Sequence, residues 1–168
     1  EALSTAFPQT LLSVDTSKAE VAKAALAAGA SWVNDVWSLR ADPDLAGVVA
    51  ESKAPIILMH NRLQHGSEVL SERLGGRYVG VAYDDLMPDI VAELLGSVAF
   101  AHEQGVADTQ IILDPGIGFG KTVSQNLTLI NHLDKIKALG YPLLVGPSRK
   151  SFIGYTLNLP PDQRLEGT

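Results

Sequence analysis

The sequence predicts a parallel α/β protein, organised as part of a (β/α)8 TIM barrel, on three observations. Short apolar segments of strand length alternate five times with helix-like segments along the 168 residues, the order of a parallel sheet with crossover helices. These segments are near-continuous apolar runs, as in strands covered on both faces. Each also ends in a polar residue, so that Asp15, Asn34, His60, Asp114 and Ser148 close successive strands. A barrel gathers all such ends at one mouth, whereas an open doubly wound sheet, which also fits the alternation, concentrates its ligands at one switch point. The barrel is therefore preferred. A complete one takes roughly 250 residues, so the expectation is a single domain over 1–168 that is truncated at both ends. A first residue other than methionine, Glu1, and a last pair, Gly167-Thr168, just past an apparent turn fit that expectation.

In chain order, residues 10–14 read as the first strand. Ser17 and Glu20 have capping-box spacing, and the alanine-rich run 18–28 ends before Gly29, as a helix does. Residues 31–33 form the second strand, and Asp42-Pro43 sets a cap ahead of a helix over about 43–51. The third strand is 56–59. Residues 61–83 carry Gly66, Gly75, Gly76 and Gly80 without a sustained period and are read as irregular, either a functional lid or a disordered insertion. From about Pro88 to Gly105, Ile90, Val91, Leu94, Leu95 and Val98 draw one apolar helical stripe. The fourth strand is 109–113, a helix follows from 123 to about 139 with Gly140 closing it, and Pro142 opens the fifth strand, 143–145. Another helix is expected to start around Phe152.

Hydrophobic residues are 46% and charged residues 19%, ordinary for a globular protein, so disorder of the whole is not expected. With Lys plus Arg at 13, Asp plus Glu at 19 and a net charge of −6, nothing suggests a surface for nucleic acid or an anionic membrane. Cysteine is absent, which excludes disulfides, thiol catalysis and cysteine-ligated metals. No apolar run nears the roughly 20 residues of a membrane span and no signal peptide is visible, so a cytoplasmic location is expected.

The densest chemistry lies in 111–122. Ile111, Ile112 and Leu113 form the apolar run, Asp114 ends it, Pro115 stops the ladder, and Gly116, Gly118 and Gly120 let the backbone turn and approach something closely. Thr122 and Gln125 have capping-box spacing ahead of the next helix. Gly120-Lys121-Thr122 matches the second half of a phosphate-binding loop, but Pro115 stands where its first glycine belongs. The dinucleotide fingerprint fails in the same way at Lys121.

Asp114 and Asn34 together suit a flat heterocycle carrying an amide and an amino group, because a carboxylate accepts two N–H bonds and a carboxamide both donates and accepts. Lys150 suits a ring carbonyl or an anion, and Ser148, Arg149 and Ser151 beside a helix start suit a phosphate or carboxylate. Each has a structural alternative: Asp15 as a helix cap, Asn34 in a turn, Arg149 as a surface charge. His60 is read as structural, having no paired ligand near it in sequence for a metal, and Trp32 and Trp37 as packing residues. Polar residues at all five strand ends favour a site.

Taken together, Ser13-Val14-Asp15-Thr16, Asn34-Asp35-Val36, Met59-His60, Asp114-Pro115-Gly116-Ile117-Gly118-Phe119-Gly120-Lys121 and Val145-Gly146-Pro147-Ser148-Arg149-Lys150-Ser151 resemble the dihydropteroate synthase family. They occur in family order with family-like spacing over nearly the whole chain. The resemblance implies barrel strands three to seven and a transferase of folate biosynthesis. Its members join 6-hydroxymethyl-7,8-dihydropterin diphosphate to 4-aminobenzoate and release diphosphate.

The resemblance also implies roles. Asp114 would hold the pterin's amino and ring N–H groups, Asn34 another ring edge, and Lys150 the ring carbonyl and neighbouring nitrogen, with Val36 and Met59 packed against the ring. Asp15, catalytic together with Lys150, would lie near the ring nitrogen that gains positive charge as diphosphate leaves. A carboxylate there stabilises the transition state more than the ground state. Phe119, Lys150 and Ser151 would form the 4-aminobenzoate pocket, with Ser148 and Arg149 at an anion. The family's first-strand loop, which helps hold Mg2+, is absent, as are the Thr-Arg pair of the second loop and the diphosphate-binding Arg-x-His of the last strand. The expectations are therefore that Mg2+ is held outside this chain, that the chain alone is inactive, and that the full-length form is a homodimer and a sulfonamide target. The stretch 61–83 departs from the family's shorter Gly-x-Pro pattern, so no role is carried into it. Methyltetrahydrofolate:corrinoid methyltransferases share strand-end Asp and Asn but would not carry both the Gly-Phe-Gly-Lys and the Ser-Arg-Lys runs. A pterin-binding scaffold derived from a synthase is the third reading.

Overall fold

In the computed structural model, strand β1 (Ser13–Asp15) pairs in parallel with β2 (Trp32–Asp35), and β2 with β3 (Ile56–Met59). An antiparallel hairpin follows, β4 (Glu68–Ser71) with β5 (Gly75–Tyr78), and then β6 (Ile111–Asp114) joins β3 in parallel. The structure describes residues 1–63, 68–71, 73–78 and 81–168, with the backbone alone at 68–71 and 77–78. Beyond β6 the predicted fifth strand is reduced to one parallel bridge, Leu113 to Leu143. Spatial order follows chain order, β1-β2-β3-β6, so each new strand is added on the same side. That is the progression of a barrel wall, without the reversal that marks a doubly wound sheet.

Register sorts the side chains. Asp15, Asn34, Ile57 and Ile112 form one row, and Met59 is level with Asp114 two residues further on. Because side chains alternate between the faces of a strand, these rows share a face. Val33, Ile56, Leu58, Ile111 and Leu113 take the opposite one and are fully buried. Helices cover that second face: α2 (Ala19–Ala27), α3 (Leu45–Ser52), α4 (Leu86–Glu103), α5 (Val123–Asn131) and α6 (Leu133–Lys137). Ala22, Leu45, Val49, Ile90, Leu94, Leu129 and Ile136 pack with the strand residues in a single core, where each buried Leu or Ile is worth about 1.5–3 kcal/mol. Helix α1 (Ala2–Ala6) precedes the sheet, and α7 (Ser151–Leu157) is the helix expected around Phe152. Among the described residues no helix is long and apolar enough to cross a membrane.

Several local expectations are corrected. The Ser17–Glu20 box does not form; α2 starts after Lys18 without a side-chain cap, and Asp42 Oδ2 accepts its Ala19 N–H at 2.8 Å. Asp42 thus serves the neighbouring helix, while its Oδ1 accepts the Asp44 N–H at 3.1 Å in its own turn, and α3 begins later than expected, at Leu45, uncapped by any side chain. The helix expected over 123–139 breaks at His132, whose ring Nδ1 donates to the Thr128 carbonyl at 2.8 Å. Asp108–Gln110 is a 3₁₀ turn, so the strand expected from 109 begins at Ile111. The stretch 61–83 is not wholly irregular, since it contains the β4–β5 hairpin; Gly66 and Gly80 lie outside the described residues.

Candidate functional site

The site is built outward from the turn after β6. Asp114 is buried, and its Oδ1 accepts the Gly116 N–H at 2.7 Å. Gly116 has φ 69°, and a Cβ there would stand 1.9 Å from the His60 carbonyl oxygen, so no larger residue fits the turn. At Gly118 a Cβ would fall 2.9 Å from Lys150 Cδ: the lysine stem lies directly on the glycine backbone. Lys150 Nζ then sits 4.2 Å from the centre of the Phe119 ring, in cation–π range. The buried carboxamide of Asn126 fastens the turn from below. It accepts the Gly118 N–H at 2.7 Å and donates to the carbonyls of Lys121 and Thr122 at 3.1 and 2.8 Å.

Charge and burial oppose each other in this cluster. Burial pushes the Asp114 carboxyl upward, against the Gly116 N–H and the positive charges of Lys150 and Lys121. Burial pushes Lys150 downward, and Asp114 pulls it back. The structure therefore assembles Asp114, Phe119 and Lys150 as one charged, ring-lined group. Met59 is buried and level with Asp114. Asp15 is exposed and Asn34 half-buried on the same sheet face, and neither makes a side-chain hydrogen bond among the described residues. Asp15 therefore does not cap α2. Val36 is half-buried, its carbonyl taken by Asn61 Nδ2 at 3.1 Å. Ser148 and Arg149 are exposed, and Ser151 opens α7.

Arg149 has φ 51°, left-handed for a side-chain-bearing residue. Its N–H donates to Thr168 Oγ1, and its carbonyl accepts from Arg164, each at 3.1 Å. Arg164 is buried and also donates to the carbonyls of Leu74 and Leu159. Sequence reasoning passed over both Arg164 and Asn126, since neither belongs to a local motif.

Lys121, half of the phosphate-loop near miss, is turned inward and only 4% exposed. Its Nζ donates to His60 Nδ1 at 3.0 Å and to the carbonyls of Gly116 and Phe119 at 2.9 and 3.1 Å. A lysine spent in this way is not presented to a phosphate. His60 is structural, as read from the sequence: its Nε2 lies 3.1 Å from Glu93 Oε2. Burial and the positive charges of Lys121, Arg62 and Arg40 push it down to about 2, so the ring is neutral. We assign its proton to Nε2, which faces the Glu93 carboxylate. Glu93 also receives Arg62 Nε at 2.6 Å, and Arg62 reaches Asp89 at 2.8 Å while lying 4.1 Å over the Tyr83 ring.

Comparison with known proteins agrees with this geometry. The dihydropteroate synthase of Bacillus subtilis is 48% identical over 157 residues, which cover 94% of this chain and 50% of the relative. That of Escherichia coli is 37% identical over 157 residues, covering 94% and 52%. The chain thus spans about half the length of the curated relatives it matches. Among solved structures, a Clostridium difficile dihydropteroate synthase with pteroic acid superposes with a TM-score of 0.84 at 40% identity, covering 99% of this chain and 57% of that one. The Xanthomonas albilineans enzyme with 4-aminobenzoic acid gives 0.84 at 36% identity, covering 98% and 57%. The sequence model of a family described as "Pterin binding enzyme" matches residues 1–168. Aligned with that family from its first residue to its last, and folded as an arc of the same barrel, this chain belongs to the pterin-binding enzymes.

Proposed function

We propose that this chain carries the pterin and 4-aminobenzoate parts of a dihydropteroate synthase site, in a transferase that joins 6-hydroxymethyl-7,8-dihydropterin diphosphate to 4-aminobenzoate. The observation that carries the reading is the Asp114 carboxylate. One of its oxygens is used by the Gly116 N–H, and the other has no partner among the described residues, with Lys150 held nearby on the Phe119 ring. A carboxylate so placed accepts N–H groups from a pterin edge, and Asn34 and Met59 on the same sheet face supply a second edge and an apolar floor. Phe119, Lys150 and Ser151 take the aminobenzoate, with Ser148 and Arg149 toward its carboxylate.

In the reaction the bond between the pterin's exocyclic carbon and the diphosphate oxygen breaks, and its electron pair leaves with diphosphate. The amine nitrogen of 4-aminobenzoate forms the new C–N bond and then loses a proton. Departure of diphosphate leads, and Asp15 stabilises the positive charge that develops on the pterin. Magnesium, expected from the resemblance, is not provided for here: among the described residues no three acidic or histidine side chains form a metal-binding group. No step is assigned to it. A cytoplasmic homodimer with competition by sulfonamides at the aminobenzoate pocket belongs to the same reading, as does a need for further strands before turnover.

Calorimetric titration of the chain with the dihydropterin diphosphate, beside ATP with magnesium, tests the proposal. Pterin heat that vanishes in Asp114→Ala, with none from ATP, supports it; heat from ATP alone overturns it. For turnover, the chain joined to the complementary half of the Bacillus subtilis relative should lose kcat far more than pterin affinity in Asp15→Asn, and an equal loss in both would count against the cation role.

A further inference from the structure

We propose that Lys121 is a positioning residue: from the buried side of the mouth it holds the Gly116–Gly120 turn in the shape that presents Asp114 and Phe119, and it is held in turn by His60 and Glu93. An ammonium group has three donors and no acceptor, and Lys121 Nζ meets three acceptors at 2.9 to 3.1 Å. Two are the carbonyls of Gly116 and Phe119, whose own Phe119 N–H to Gly116 carbonyl bond of 3.1 Å closes the turn. The third, His60 Nδ1, offers a lone pair because its other nitrogen donates to Glu93, half-buried on α4. Glu93 opens onto a cavity of about 560 Å³ lined also by Arg40, Asn61, Ser97 and Phe100. The chain of contacts therefore runs from the helix side of the sheet through the wall to the mouth.

No carboxylate bonds Nζ among the described residues, so its charge is balanced at a distance. Asp114 on β6 and Glu93 on α4 favour the ammonium, whereas burial, Lys150 before α7 and Arg62 after β3 disfavour it, leaving Lys121 pushed down to about 7. Neutral His60 adds no charge. Above that pH the amine has two N–H groups for three acceptors, and one anchor of the turn is lost.

The ligand in this inference rests on the pterin reading; the state of the turn does not. The test follows the backbone amides of Gly116, Gly118, Phe119 and Gly120 by NMR in the ligand-free chain over about pH 5.5 to 9. In the wild type they should share a midpoint near 7, absent in Lys121→Met and lowered in Glu93→Gln, which removes a favouring charge. Dihydropterin diphosphate should bind Lys121→Met about tenfold more weakly at the acid end of that range. A midpoint that persists in Lys121→Met, or unchanged pterin affinity in that variant, overturns the inference. Should Lys121→Met not fold, Glu93→Gln decides, an unmoved midpoint being fatal. If the wild type binds no pterin, the functional reading fails by itself and the amide titration still settles the role of Lys121.

Discussion

The turns after β2 and β6 start from the same chemistry and end differently. Asp35 and Asp114 both close a parallel strand, both are buried, and burial pushes both carboxyls upward. Asp35 lies on the helix-covered face and spends both oxygens on its own turn, accepting Trp37 N–H at 2.9 Å and Leu39 N–H at 2.5 Å. Asp114 lies on the opposite face, gives one oxygen to Gly116, and keeps the other. Strand parity decides which carboxylate is structural and which has valence left for a ligand.

The largest effect should separate the two. Asp114→Ala is expected to abolish dihydropterin binding, a loss of at least about a hundredfold, at a stability cost of only about 1 kcal/mol, because the one N–H it leaves without an acceptor, that of Gly116, is partly offset by removal of a buried carboxylate. Asp35→Ala should do the reverse: it takes the acceptor from the buried Leu39 N–H and from the part-buried Trp37 N–H and costs about 2–4 kcal/mol in urea unfolding, with pterin affinity kept in the folded fraction. Loss of affinity at full stability in Asp35→Ala would dissolve the distinction.

The glycines of the β6 turn sharpen it further. Gly116→Ala sets a methyl against the His60 carbonyl at a left-handed φ, so we expect a loss of about 3 kcal/mol or more together with the site. Gly140 also has positive φ, 90°, but nothing lies within 4 Å of its Cβ position. There alanine should cost only about 1 kcal/mol. Equal denaturation midpoints for the two variants would remove close backbone approach as the reason for glycine at Gly116.

A smaller effect comes from pH. The unfolded chain protonates His60 near 6.5, the folded one only near 2, so the unfolded state binds more protons between these values. Stability from this residue is full above 6.5 and falls as pH drops, by up to about 1.4 kcal/mol per pH unit. Asp35 and Asp114, raised in the folded state, act oppositely from 3.8 upward. Urea midpoints at about pH 7 and pH 5 should therefore differ more in the wild type than in His60→Gln. An equal difference would assign the acid sensitivity elsewhere.

What the sequence disclosed was what is local along the chain. The Asp114 strand end, the glycines after it and the Thr122–Gln125 box all concern neighbours within a few residues, and all form as read. Asp42 looked like a cap for its own helix; one oxygen does accept locally, from the Asp44 N–H in the turn before it, but the other serves Ala19, 23 positions away, where α2 packs against α3. Lys121 showed only as a fragment of a motif, since nothing near it in sequence announces His60, 61 positions earlier. The β4–β5 hairpin escaped because its second strand opens Gly75-Gly76, residues that read as a break.

The smallest effect tests how far a cap matters to the mouth. In Thr122→Ala the first turn of α5 loses the hydroxyl that accepts the Gln125 N–H at 3.2 Å, a cost of about 1 kcal/mol. The glycine turn should stay in place, because Asn126 still donates to the Lys121 and Thr122 carbonyls. Pterin affinity is then expected to change less than about twofold, with faster exchange confined to the Gln125 amide. Its counterpart after β2 is Asp42→Ala, where exchange should quicken at Ala19 in α2 and at Asp44 in the turn, and not within α3, since the two lost bonds belong to the other helix and to the turn before Leu45. If α3 frays instead, Asp42 is a cap for its own helix after all, and the turn after β2 is as locally built as the turn after β6.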